Sequence, residues 1–332
     1  MPRPSSACRA PRTPSYDASA MTPPIWLGGL ALVAGLALVV WGAERFTDGA
    51  IRLAARLSLS PFFVGAVASG FEPENLASGA AAALGGLPQI ALGTVIGSTI
   101  FLLTGALGLV LLVAPMDVRI PREGPVAMVL SLALFAIALW NDGTVSRHEG
   151  LLLVAAALGL MSWLYRRSPV FQAGVEQARA GSGLKMTTLL VVGTAAMVVG
   201  AELLVHGART LLSVTGLSET FLGMAVVGMG ESLEEAARMI APARRGHPEL
   251  AWGNIVGTTV VLLTFNLGVL AMIRPLTADP LVLRLHAPYL VACTLLVGGG
   301  LLVLPRLGRK AGVFLLALYV AYLGLNLRHM WQ

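Results

Sequence analysis

The sequence predicts an all-α membrane protein of ten transmembrane helices in two inverted five-helix repeats. Three observations predict it. Of 332 residues, 56% are hydrophobic and only 12% charged, where a soluble globular domain carries about 25% charged residues. Apolar runs of about 20 residues, the length that crosses a hydrocarbon core, recur along nearly the whole chain. The third observation is an internal repeat, set out below. A segment in lipid must satisfy its own backbone groups, so these runs read as helices; the alternation expected of a barrel is absent.

In chain order, residues 1–24 are rich in Pro, Ser, Ala and Arg, hold no apolar core, and are expected to form a disordered tail. They lack the apolar segment of a signal peptide. Met21 stands just before the first apolar run and is the expected translation start; an intact mass beginning at Met1 would refute this. The first repeat, residues 25–166, is expected to span at 25–45, 60–84, 88–115, 124–141 and 148–166. The longest polar gap, Arg166 to Lys185 (RRSPVFQAGVEQARAGSGLK), follows, and its residues 167–185 form the connecting loop. The second repeat, residues 186–332, is expected to span at 186–206, 217–242, 248–273, 281–304 and 310–328. Pro88 and Pro248 fall at first helical turns, where proline is tolerated.

Gly42–Gly65 matches Gly200–Gly223 at 10 of 24 positions, and Gly86–Gly108 matches Gly246–Gly268 at 11 of 23. An odd number of spans per repeat forces the second to insert upside down, the architecture of secondary transporters whose sites lie near the midplane. Counted on alternate sides, Lys and Arg number 15 on the side of the long loop and 8 on the other, three of those in the tail. The loop is therefore expected in the cytoplasm and both termini outside. The same scatter of basic residues at span ends accounts for a net charge of +6 and a pI near 9.9 without invoking nucleic acid. Cys8 and Cys293 have neither disulfide nor zinc spacing.

Five of the 17 acidic residues occupy matching places in the two halves: Glu72 and Glu74 in GFEPEN, and Glu231, Glu234 and Glu235 in GMGESLEEAAR. A carboxylate at membrane depth costs several kcal/mol and marks function by default. Pro73 removes a donor and pushes Glu72 off helical angles, freeing carbonyl oxygens; Gly228 and Gly230 are expected to loosen the second segment similarly. Carboxylates with free carbonyls suit a hard, oxygen-bound cation. Thr94 and Ser98, and Asn254 and Thr258 in the other half, are i,i+4 pairs that would add polar ligands. Simpler readings stand beside these. Hydroxyls in membrane helices often bond their own backbone, Glu234 and Arg238 at i,i+4 suit an ion pair, and His206 reads as a local partner of Glu202. Glu44, Asp48 and Glu202 read as vestibule or helix-end residues.

The sequence resembles the sodium/calcium exchanger superfamily of cation antiporters. The family motif, approximated as G-T-S-x-P-E-L followed by G-N-x-x-G-S-N-x-x-[ND], is matched by Gly230–Glu235 and Gly253–Thr259 in the second half and by Gly93–Thr99 in the first. The resemblance covers about residues 25–328. It places the family's glutamate on Glu235 and its serine ligand on Ser232 in the second half and on Glu72 in the first, and alternating access is expected around Glu72, Asn75, Glu231, Ser232 and Glu235, with departures. The family glutamate becomes Asn75 in the first half, the threonine positions become Phe71 and Glu231, and the final Asn/Asp positions become Leu102 and Leu262.

The resulting expectation is a secondary antiporter exchanging Ca2+ or a related cation for Na+ by alternating access, at a site of Glu72, Glu74, Asn75, Thr94, Ser98, Glu231, Ser232, Glu234, Glu235, Asn254 and Thr258. Its partners are the lipid bilayer and inorganic cations, with no cofactor and no nucleic acid. A proton-coupled exchanger and a transport-inactive regulatory relative are the alternatives. No G-x-x-x-x-G-K-[ST], H-E-x-x-H or nucleophile elbow points to an enzyme.

Overall fold

The structure, a computed structural model, describes residues 24–56, 72–115, 121–167, 183–244, 248–303 and 307–330. The tail expected over 1–24 lies outside it apart from Pro24, as do Cys8, most of the 167–185 loop and residues 60–71 of the second expected span. Almost all described residues are helical.

Helix α1 (Ile25–Arg56) is followed by α2 (Pro73–Leu84), α3 (Pro88–Val113), α4 (Glu123–Trp140) and α5 (Arg147–Arg167). Then come α6 (Gly183–Thr215), α7 (Glu219–Phe221 continuing into Gly228–Arg244), α8 (Pro248–Val260 continuing into Leu267–Ile273), α9 (Val282–Val303) and α10 (Arg309–Arg328). Strands β1 (Thr144–Val145) and β2 (Leu276–Thr277) pair antiparallel, clipping the α4–α5 turn to the α8–α9 turn. Among the described residues, eight helices are long and apolar enough to cross a membrane. Helices α2 and α7 are the two that do not qualify: α2 has 12 residues, and α7 carries the acidic segment.

Pro88 and Pro248 each open a helix, as their spacing predicts. Helices α1 and α6 run about three turns past their expected ends, because the chain after Arg45 and His206 stays helical. Gly228 and Gly230 do not break α7. Its distortion is instead a π-helical turn just before them, Leu222–Val227, and matching π-turns at Leu102–Ala106 in α3 and Val261–Asn266 in α8 fall at equivalent places of the repeat.

The helices sort by burial. Over their most apolar 18 residues, α3 and α8 are 89% and 83% buried, against 28% for α1, α5 and α10. The first two therefore form the centre, and the outer helices turn residues such as Trp26, Leu152 and Val320 outward. Helices α1 and α6 pack antiparallel along glycines seven residues apart, Gly28, Gly35 and Gly42 against Gly207, Gly200 and Gly193. A Cβ on Gly35 would sit 2.7 Å from the Gly200 carbonyl oxygen. In membranes, where lipid is as apolar as leucine, such close backbone contact holds helices together.

A polar latch fixes one end of the centre. The N-terminal amides of α3 have no intrahelical partner, and Glu219 of α7 accepts them through Oε1, from Gln89 N at 2.6 Å and Ile90 N at 3.3 Å. The Gln89 side chain donates to the Thr277 carbonyl at 2.9 Å and accepts from Asp279 N at 3.0 Å. A cap of this kind contributes about 1–2 kcal/mol. Glu219→Ala is expected to lower the thermal unfolding midpoint in detergent, and an unchanged midpoint would show that the latch does not stabilise the bundle.

Candidate functional site

Pro73 places the break in the chain. Glu72 is the N-cap of α2 with φ −98° and ψ 72°, off helical angles as the residue before proline is biased to be, and Pro73 is the first helical residue. At 1.5 Å per residue, 12 residues make α2 about 18 Å long, little more than half a hydrocarbon core. Its N-terminus, the positive end of the helix dipole, therefore lies inside the bundle next to Glu72 and Glu74, where it favours negative charge. The opposite end is matched too. Arg209 of α6 donates to the Gly85 carbonyl, and Arg274, after α8, donates to the Ala83 carbonyl at 3.2 Å.

Carboxylate oxygens of Glu72, Glu74 and Glu235 all lie within 4.8 Å of one another. The three residues are 2%, 0% and 1% exposed. Two unit charges at that separation repel by about 3 kcal/mol even at an effective dielectric of 20. Three ionised groups cannot share this buried space without a cation or protons among them.

The neighbouring helices supply the polar surroundings. Thr258 Oγ1 of α8 donates to Glu72 Oε1 at 2.8 Å, and Asn254 Nδ2, one turn earlier, donates to Glu235 Oε2. On α3, Ser98 Oγ accepts from Asn75 Nδ2 at 3.3 Å and donates to the Gly228 carbonyl at 3.1 Å; its own carbonyl accepts from Ser232 Oγ at 3.4 Å. The i,i+4 pair of α8 thus serves two different acids.

Other expected residues behave differently. Thr94 is buried, but its hydroxyl donates to the Ala91 carbonyl of its own helix at 2.8 Å. Glu231 is fully buried and is not one of the three carboxylates within 4.8 Å of one another, and its Oε1 accepts from Ser78 of α2. The Ser78 hydroxyl has one hydrogen and also faces the Glu74 carbonyl at 2.6 Å. The side chains of Glu234 and Arg238, and Phe71, lie outside the described residues. Glu202 and His206 both line the groove between α2 and α6, with no ion pair between them among the described residues. That corrects the expectation of a local partnership: both residues are exposed along the groove.

Two residues escaped the sequence reading. Ser78 follows Glu74 by one turn. Asn266 follows Leu262 by one turn on α8, and its Nδ2 donates to the Glu72 carbonyl at 3.3 Å. Reading α8 by helical face would have found Asn266; reading by motif register stopped at Leu262. Among the described residues Asn75 Oδ1, Asn266 Oδ1 and Glu231 Oε2 are buried without a hydrogen-bond partner. All three are acceptor oxygens, the donor type a hard cation takes. The residues present therefore fit a metal ion as cargo.

Membrane-spanning helices packed around buried carboxylates, amides and hydroxyls define an ion carrier of the cation-transporting class. The sequence profile of the sodium/calcium exchanger proteins matches residues 27–166 and 185–328. The chain belongs to the sodium/calcium exchanger protein family. It is 30% identical to CaxA of Alkalimonas amylolytica over 307 residues, 88% of this chain and 96% of that one. It is 26% identical to the sodium/calcium exchanger MaX1 of Methanosarcina acetivorans, over 89% of this chain and 97% of the relative. Among solved structures it is similar to the sodium-calcium exchanger NCX_Mj soaked with 2.5 mM Na+ and 0.1 mM Ca2+. There the TM-score is 0.59 and the identity 25%, over 90% of this chain and 98% of that one.

Proposed function

We propose that this protein is a secondary antiporter that exchanges Ca2+ for Na+ across a bacterial-type inner or plasma membrane. In this reading ten helices form two inverted five-helix repeats, with both termini outside and the 166–185 loop in the cytoplasm. The observation that carries it is the buried group of Glu72, Glu74 and Glu235, an anionic space that needs a cation. Glu72 and Glu235 are the charged ligands, and Glu74, Asn75, Ser98, Ser232 and Asn266 surround them with oxygen; Thr258 and Asn254 hold the carboxylates in place. Asn266 offers in the second half the amide that Leu262 lacks, which argues against the transport-inactive alternative. Relatives named as exchangers support the same reading.

The test is Ca2+ uptake into proteoliposomes under an imposed Na+ gradient. Uptake that follows the gradient is expected; no uptake of Ca2+, Mn2+, Na+ or K+ under either a Na+ or a pH gradient would overturn the reading. A pH gradient that replaces the Na+ gradient would move the assignment to the proton-coupled form. Thr258→Val removes one neutral donor from Glu72 at nearly constant volume. A lost hydrogen bond to a charged group is worth about 1.5–3 kcal/mol, so half-saturation for Ca2+ is expected to rise by roughly tenfold, with folding retained.

A further inference from the structure

A groove of about 550 Å³ runs between α2 and α6 on the side of α2 away from the buried carboxylates. Its lining is mostly apolar, Ala77, Ala81 and Ala201 among it, and includes Glu202, His206 and Arg209. Glu202 is the twentieth of 33 residues of α6, within about a turn of the helix midpoint. A charged side chain at such depth faces water or a partner. The spacing i,i+4 puts Glu202 and His206 on one face, yet they form no ion pair with each other among the described residues. Arg209, one turn further on, is drawn off to the Gly85 carbonyl. A carboxylate and an imidazole one turn apart on α6 are thus both exposed along the groove.

We propose that Glu202 and His206 form a binding site for a borderline divalent transition ion such as Zn2+, separate from the transport site, and that occupancy slows exchange. A mixed nitrogen and oxygen pair prefers such ions over Ca2+, which takes oxygen alone. The matched place in the first half does not offer the same site. There the residues are Glu44 and Asp48, without nitrogen, and Glu44 is taken by Arg45 at 3.0 Å, which stacks 5.0 Å from Trp41. The ion would sit between α6 and the half-length helix α2, whose inner end bears Glu72 and Glu74, and would wedge the space these helices need in order to open the buried cluster. Binding stands on the groove alone; the effect on flux rests on the transport reading.

Full-length protein in nanodiscs is titrated calorimetrically with Zn2+. One site is expected that survives in the Glu72→Gln/Glu235→Gln double variant and weakens by at least about tenfold in His206→Ala and in Glu202→Gln. Binding unaltered by either single variant, or lost only in the double variant, would overturn the site. In proteoliposomes Zn2+ is expected to slow Ca2+ uptake by the wild type, while His206→Ala keeps basal uptake and needs at least about tenfold more Zn2+ for the same inhibition. Zn2+ bound at His206 with uptake unchanged would overturn the regulatory role. A wild type with no uptake at all would defeat the transport reading, and the titration would still decide the site.

Discussion

Glu72→Gln is expected to lower the initial rate of Na+-gradient-driven Ca2+ uptake by at least about 100-fold while leaving the protein folded. The substitution keeps the size of the side chain and an oxygen that can accept from Thr258. The Asn266 contact is to the Glu72 backbone and is untouched. What changes is one negative charge in a group of three, within 4.8 Å of the other two. Disrupting a buried charged interaction costs about 3–5 kcal/mol, and about 3 kcal/mol corresponds to roughly 100-fold in a binding constant. Glu235→Gln should behave alike, since its partner Asn254 can rotate its amide to meet the new side chain. Glu44→Gln, on an exposed stretch of α1, should transport near the wild-type rate. Uptake by Glu72→Gln and Glu235→Gln within a few-fold of wild type would reject the carboxylate group as the ion site, whatever the family.

Gly93→Ala is expected to prevent a stable bundle from forming. The Cβ would lie 2.6 Å from Gly223 Cα and closer still to the Gly223 carbonyl, and these are backbone atoms that no rotamer change can move aside. Relief requires α3 and the π-turn of α7 to separate along their crossing. The same crossing brings Gly228 to Ser98, so separation would also undo the 3.1 Å hydrogen bond that ties the two site helices together. Overpacking a filled core costs about 1–3 kcal/mol and more where backbone must shift. The expected reading is a thermal midpoint in detergent lowered by many degrees, with aggregated material on size exclusion. Gly324→Ala, where an added Cβ meets nothing within 4 Å, should melt at or above the wild-type temperature. A Gly93→Ala midpoint equal to wild type would show the crossing to be looser than its geometry.

The break at Glu72 was legible because proline acts on its immediate neighbour, and the structure puts that residue off helical angles and starts α2 at Pro73. Helix starts at Pro88 and Pro248 were legible for the same local reason. Gly228 and Gly230 misled because a glycine serves equally to loosen a helix or to admit another backbone. Here an added Cβ on Gly228 would meet Gly93 O and Gly97 C at 2.7 Å, so close approach is its use. The ends of α1 and α6 were cut short because hydropathy falls where polar residues gather, whereas the helices continue through them.

The sequence by itself determined the membrane class, the helical content, the repeat, and the two acidic segments that would carry the chemistry. Those properties live in composition, local stereochemistry and periodicity, which act over a few residues. Tertiary structure alone decided which acids meet. Glu72 and Glu74 at the start of α2 meet Glu235 of α7, far along the chain, Glu231 pairs with Ser78, and Asn266 enters from a turn the motif does not include. Each of these outcomes depends on the crossing of α2, α3, α7 and α8, set by contacts between backbones at glycines more than a hundred residues apart, and no local rule fixes that angle.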